Sequence, residues 1–160
     1  MGNETINETG LTTLITRGGV YYQVPGTNPR DLITNLVERL NPVAVDRDAL
    51  LKAALEREAL MTTAIGHGIA LPHPRNPLIS SAGDQFVAVA FLEKPVDWQA
   101  LDGEPVHTAL LIVSSSAKLH LHTLSRINYF CQREQFRAFL ANRPSPEEII
   151  RVITQEEAVW

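Results

Sequence analysis

A chain of 160 residues can bury one real core but not two, and a composition of 44% apolar and 20% charged residues is globular rather than disordered. The net charge of −4, with no file of Lys and Arg along any helix face, sets aside a nucleic-acid reader, and the lone Cys131 rules out an internal disulfide and a thiolate zinc site and suits a reducing cytoplasm. The opening MGNETINETG has neither the basic nor the apolar region of a signal peptide, and no apolar run is long enough to span a bilayer, so a cytoplasmic protein without membrane insertion is expected.

Residues 1–9 are polar and read as a flexible tail, ahead of a single domain over 10–160. Leu11–Thr16 reads as a short helix stopped by Gly18-Gly19, and the β-branched and aromatic run Val20–Val24 as a strand closed by Pro25-Gly26. A helix should start at Asn28, which can cap, with Pro29 in the first position and Asp31 in the first turn. Leu32, Ile33, Leu36, Val37 and Leu40 then share one face until Asn41-Pro42 ends it. A second helix opens at Asp46 and runs to about Leu60, burying Leu50, Leu51, Ala54 and Leu55, with Arg57 and Glu58 in its last turns.

Gln85–Glu93 is apolar almost throughout, as a strand covered on both faces must be. Two turn signals follow, Lys94-Pro95 and Asp102-Gly103, then a second central strand, Val106–Ser114. Helices are expected over Ala117–Gln132 and Arg133–Ala141, and Ser145-Pro146-Glu147-Glu148 is a capping box that opens a last one. The order of elements is that of an α/β fold, a central mixed β-sheet of about five strands with helices on both faces.

The segment TTAIGHGIALPHPRNP, Thr62 to Pro77, stands out. Gly66 and Gly68 flank His67 and permit a positive φ or a close approach, and Ile69-Ala70-Leu71 reads as the end of a buried strand. His73 is held between Pro72 and Pro74, so stiff backbone aims its imidazole at the exit of that strand, where α/β folds place their chemistry. Of the other histidines, His120 falls in the first turn of a helix, beside amides that favour an anion. His107 alternates with apolar neighbours on a strand and reads as a satisfied polar residue, while His122 cannot share the helix face of His120 and is peripheral. His67 either lines the site or faces solvent.

Three chemistries fit paired histidines. A metal site wants three or more ligands at organised spacing, and H-E-x-x-H is absent. A histidine base needs a Ser or Cys nucleophile, but no G-x-S-x-G elbow occurs and Cys131 sits in a helical apolar stripe. Histidine as the nucleophile for a phosphoryl group needs an aimed neutral imidazole and donors for the phosphoryl oxygens, which Arg57, glycine-loop amides and a second imidazole can supply. With no P-loop, the donor in that case is not a bound nucleotide.

REALMTTAIGHGIALPH resembles the signature of the enzyme IIA domain of the bacterial phosphoenolpyruvate-dependent sugar phosphotransferase system, in its fructose, mannitol and nitrogen-regulatory class. EKPVDWQALDGEPV and KLHLHTLSRI are similar to further stretches of that family, and the resemblance covers most of residues 11–155. It implies phosphorylation of His73 on Nε2, with His120 as the second histidine that stabilises the phosphorylated ring, Arg57 as the arginine of the Arg-Glu pair and Thr63 as the loop threonine. It further implies HPr or a paralogous phosphocarrier protein as donor, and a IIB domain or a regulatory target protein as recipient, with no metal and no organic cofactor. Pro74 stands where the family has a small residue and removes one backbone N–H, Ala64 replaces a common glycine, and His67 an asparagine. A shallow, partly apolar docking patch around His73 is expected, using Leu78 and Ile79 and ringed by acidic groups. The alternative is a regulatory protein-binding module of the same fold that acts without phosphorylation.

Overall fold

The computed structural model describes residues 10–157, so the tail expected over 1–9 lies outside the described residues. Local chain signals set most boundaries. Helix α1 spans Leu11–Gly18 and strand β1 Val20–Val24, and Gly19, at a φ of 89°, turns the chain between them. Helix α2 is Pro29–Arg39, and its cap is the expected one: the Asn28 side chain accepts from the Asp31 N–H at 2.8 Å. Asp46 caps helix α3, Arg47–Leu60, in the same way through the Ala49 N–H. Removing the first of these caps, Asn28→Ala, is expected to lower stability by about 1 kcal/mol in urea unfolding, with an unchanged m-value.

Two short strands follow, β2 (Ala64–Gly66) and β3 (Ile69–Ala70), then the long β4 (Phe86–Val96) and β5 (Val106–Val113). Helices α4 (Ala117–Cys131), α5 (Glu134–Ala141) and α6 (Pro146–Glu157) complete the described chain. The capping box at the start of α6 forms in both directions, the Ser145 N–H donating to Glu148 and the Glu148 N–H to the Ser145 hydroxyl.

The five strands form one mixed sheet in the order β1-β4-β5-β3-β2. β1 runs parallel to β4 and β3 parallel to β5, whereas β4/β5 and β2/β3 are antiparallel. Alternation along β4 divides the core. Phe86, Ala88, Ala90 and Leu92 pack with α2 and α3 on one face; Val87, Val89 and Phe91 pack with α1, α4, α5 and α6 on the other. Both faces are therefore covered, which explains the nearly continuous apolar sequence of β4.

Two expectations need correction. Lys94-Pro95 is no turn: β4 continues through it to Val96, with its pairing to β5 shifting between Phe91 and Val96. Glu93, Lys94 and Pro95 are exposed there, and the irregular pairing accommodates a residue without an N–H. The glycine loop, in turn, holds a strand. β2 and β3 are joined by the two-residue turn His67-Gly68, with φ values of 56° and 80°, the mirror-image turn that suits a tight hairpin. Gly68 is obligatory here, since a Cβ would lie 2.4 Å from the His107 ring.

Candidate active site

His73 follows β3 directly. The ladder to β5 persists beyond the strand, the Ile112 N–H donating to the Pro72 carbonyl at 3.0 Å, so the Leu71-Pro72-His73 segment is fixed to the sheet. Its half-buried ring is oriented by one bond: Nδ1 lies 2.9 Å from the Leu71 carbonyl oxygen. A carbonyl can only accept, so the neutral ring carries its proton on Nδ1 and leaves the Nε2 lone pair free.

His120 arrives from the neighbouring strand. β5 ends at Val113, Ser116 caps α4 by accepting from the Leu119 N–H, and His120 lies one turn in. Buried Gln85 secures this junction, its Oε1 accepting from the N–H and hydroxyl of Ser115. The two imidazoles meet with centroids 4.6 Å apart and planes inclined at 43°. Both thus sit at the carboxyl ends of adjacent parallel strands, β3 and β5, in a cleft of about 300 Å³ whose wall also includes Arg75, Asn76, Ser114 and Ser116.

Arg57 and Thr63 reach this neighbourhood in different ways. Arg57 donates to the Met61 carbonyl at 2.7 Å, and its charge acts on both imidazoles. Thr63 is buried with its hydroxyl committed to Glu58, and its carbonyl accepts the Leu71 N–H. The remaining histidines stand apart from the cleft. His67 is exposed on the hairpin turn, its N–H held by Asp102. His107 packs under Gly68 with Nδ1 2.7 Å from the Thr108 hydroxyl, as a satisfied polar residue should, and His122 lies exposed on α4. Cys131 is buried, and burial pushes its thiol up to about 12, which makes it no nucleophile. Among the described residues no group of three or more His, Cys, Asp or Glu is placed to hold a metal ion, and no helix is long and apolar enough to cross a membrane.

The model of the family "Phosphoenolpyruvate-dependent sugar phosphotransferase system, EIIA 2" matches residues 5–156. The chain belongs to that family. It is 32% identical over 148 residues to a nitrogen regulatory protein of Pseudomonas aeruginosa, covering 89% of this chain and 94% of the relative. It is 30% identical over 151 residues to the fructose-specific EIIABC component of Bacillus subtilis, covering 92% of this chain but only 23% of that longer protein. The solved structure of the nitrogen regulatory protein IIA-Ntr from Neisseria meningitidis superposes with a TM-score of 0.71 at 24% identity, over 84% of this chain and 92% of that one.

In this EIIA chain the electrostatics keep both imidazoles neutral near pH 7. Burial lowers the pKa of His73, the backbone bond to Leu71 opposes that, Arg57 lowers it further and Glu58 raises it. His120 is lowered to about 4 by burial, then by His73 and Arg57. Between the unfolded value near 6.5 and about 4 the unfolded chain binds more protons at His120 than the folded one, so stability falls as pH falls through that window. Urea midpoints should therefore drop from pH 7.5 to pH 5, and His120→Gln should shrink the drop.

Beside the cleft, Leu78 is exposed as expected, Ile79 packs partly against the core, and Arg75 lies on the cleft wall. Sequence reasoning placed Glu58 in the last turns of α3 and Asp102 in a turn, but did not foresee that Glu58 grips Thr63 or that Asp102 takes the N–H donated by His67.

Proposed function

We propose that this chain accepts a phosphoryl group on His73 Nε2 from HPr or a paralogous phosphocarrier, and passes it to a IIB domain or retains it as a regulatory signal. The observation that carries this reading is the Nδ1–H···O=C bond of His73 to Leu71, which leaves Nε2 as an unprotonated nucleophile beside a second imidazole. In the transfer, the Nε2 lone pair forms the new N–P bond. The donor N–P bond breaks, its electron pair returning to the donor's imidazole, and no proton need leave His73. His120 and Arg57 then face a dianionic group, which donors and a guanidinium stabilise in a half-buried site. Thr63 supports the loop rather than touching the phosphoryl group. No cofactor takes part, and residues 10–160 act as one cytoplasmic unit.

Regulatory use of the phosphohistidine draws support from the 32% identity to the nitrogen regulatory protein of Pseudomonas aeruginosa, and onward sugar-linked transfer from the 30% identity to the fructose-specific component of Bacillus subtilis. A second reading has its own observation: Pro74, buried next to His73, offers no N–H to a phosphoryl oxygen. On that reading the chain is a binding module whose partner affinity ignores His73→Ala.

The deciding test is incubation with phosphoenolpyruvate, enzyme I and HPr. An acid-labile label on the wild type that His73→Ala abolishes is the expected result. Label that persists in His73→Ala, or no label with any phosphocarrier, would overturn the carrier reading.

A further inference from the structure

We propose that Glu58 is a positioning residue for the His73 nucleophile, acting through an unbroken file of hydrogen bonds, Glu58–Thr63–Leu71–His73. Every donor in the file points toward the carboxylate. His73 Nδ1–H donates to the Leu71 carbonyl at 2.9 Å, and the Leu71 N–H donates to the Thr63 carbonyl at 3.0 Å. The Thr63 N–H and hydroxyl donate to Glu58 Oε2 and Oε1 at 2.8 and 2.6 Å. The two short bonds to one carboxylate fix a buried threonine in both position and rotamer, and two-point attachment of this kind is what holds a loop to a helix end. The file crosses α-carbons rather than running through single peptide groups, so it acts by fixing positions and through the field of the carboxylate itself.

The inference rests on the phosphohistidine reading and deepens it. When Nε2 gives its lone pair to phosphorus, the ring gains positive charge while Nδ1 keeps its proton. The Glu58 carboxylate, whose charge raises the His73 pKa, favours that positive ring, and the Leu71 carbonyl at the end of its file takes the proton's hydrogen bond. Arg57, the preceding residue in the same helical turn, has the opposite use: it disfavours a charged ring and favours the phosphoryl dianion. The consecutive Arg57 and Glu58 thus divide the two charges that develop on one phosphoimidazole. The charges acting on His73 are Arg57 and Glu58 from α3, while His120 from α4 faces its ring and Arg75 lies on the cleft wall.

Two substitutions separate position from charge. In Glu58→Gln the amide oxygen can still accept the Thr63 N–H and the amide nitrogen can donate to its hydroxyl, so the file survives without its charge. Glu58→Ala removes both bonds. Isotope-labelled His73 would be followed by NMR for tautomer, Nδ1–H exchange and pH midpoint, and the rate of phosphoryl acceptance from phosphorylated HPr would be measured in parallel. Glu58→Gln should lower the His73 midpoint, since it removes the anion that raises it, and should keep the Nδ1–H tautomer. Glu58→Ala should lose Nδ1–H exchange protection and slow acceptance on the order of 10- to 100-fold through misplacement of the ring.

A Glu58→Ala protein with wild-type tautomer, midpoint and rate would overturn the proposal. Should that variant fail to fold, Thr63→Val decides, since it removes the hydroxyl bond to Glu58 and keeps the carboxylate's charge: reduced Nδ1–H exchange protection of His73 would support the proposal, and wild-type protection would overturn it. A wild type that takes no phosphoryl group while Glu58→Gln still shifts His73 would sink the carrier reading and leave the positioning role intact.

Discussion

Replacing Gly18 with Ala is expected to destabilise the fold by about 3 kcal/mol or more, near the upper end of what overpacking costs. Gly18 is buried in the last turn of α1, where a Cβ would lie 2.1 Å from the Val87 carbonyl oxygen and 2.8 Å from the Ala88 nitrogen. The obstacle is backbone of a central strand, not a side chain that can swing aside, because Val87 pairs with Ile112 across the sheet. Helix α1 would have to lift, drawing Leu11, Leu14 and Ile15 away from the core they complete with Val87 and Val89. The start of β1 would follow, since the Val89 N–H donates to the Gly19 carbonyl. Urea unfolding followed by circular dichroism measures the loss. A variant within about 0.5 kcal/mol of wild type, the range of an ordinary surface change, would mean that α1 can slide along the sheet and that the contact is not a constraint.

That glycine marks the limit of what the chain discloses on inspection. Gly18-Gly19 reads correctly as a helix stop, and Gly19 does turn the chain with its positive φ. The packing role of Gly18 depends on which strand crosses beneath it, a tertiary fact without local signature. The same division runs through the molecule. Caps at Asn28, Asp46 and Ser145 were legible because donor and acceptor lie three residues apart. Strand β2 was not, because three residues carry no periodicity and its partner is only two residues long. At Lys94-Pro95 the turn propensity was real, and irregular pairing of a long strand overrode it. In the candidate site, His73 stands out in the sequence through its flanking prolines. Its contact with His120 came from the order of β3, β5 and α4, which resemblance implied and sequence pattern alone did not. The grip of Glu58 on Thr63 depends on where the last turn of α3 meets the hairpin, and Asp102 reaches His67 from 35 residues away. Chemistry that depends on one stiff segment is readable; chemistry that depends on two elements meeting is not.

Exchanging His120 for Ala is expected to leave the fold intact and to slow phosphoryl acceptance about 100-fold, the usual cost of removing one aligned donor from a developing anion. The fold should tolerate it because the ring is only half-buried, alanine is the best helix former, and α4 keeps its cap and its buried Ile127 and Phe130. The loss in rate follows from the pairing. With its pKa lowered to about 4, His120 is neutral near pH 7 and can give an N–H to a phosphoryl oxygen without first repelling the incipient charge on the His73 ring. With a phosphoryl dianion on Nε2 the balance would reverse, because an adjacent −1.5 to −2 charge (about that at neutral pH) would pull the His120 pKa upward. His120 would thus change protonation with the phosphorylation state, and its removal should also shorten the lifetime of the phosphorylated protein. Glutamine separates the two effects, since its amide can donate but cannot take up a proton. His120→Gln should recover part of the rate while losing the pH dependence of the lifetime between about pH 5 and 8, the range in which perturbed imidazoles titrate. Rate and lifetime both unchanged in His120→Ala would remove the second imidazole from the chemistry, leaving the tilted ring pair as packing alone.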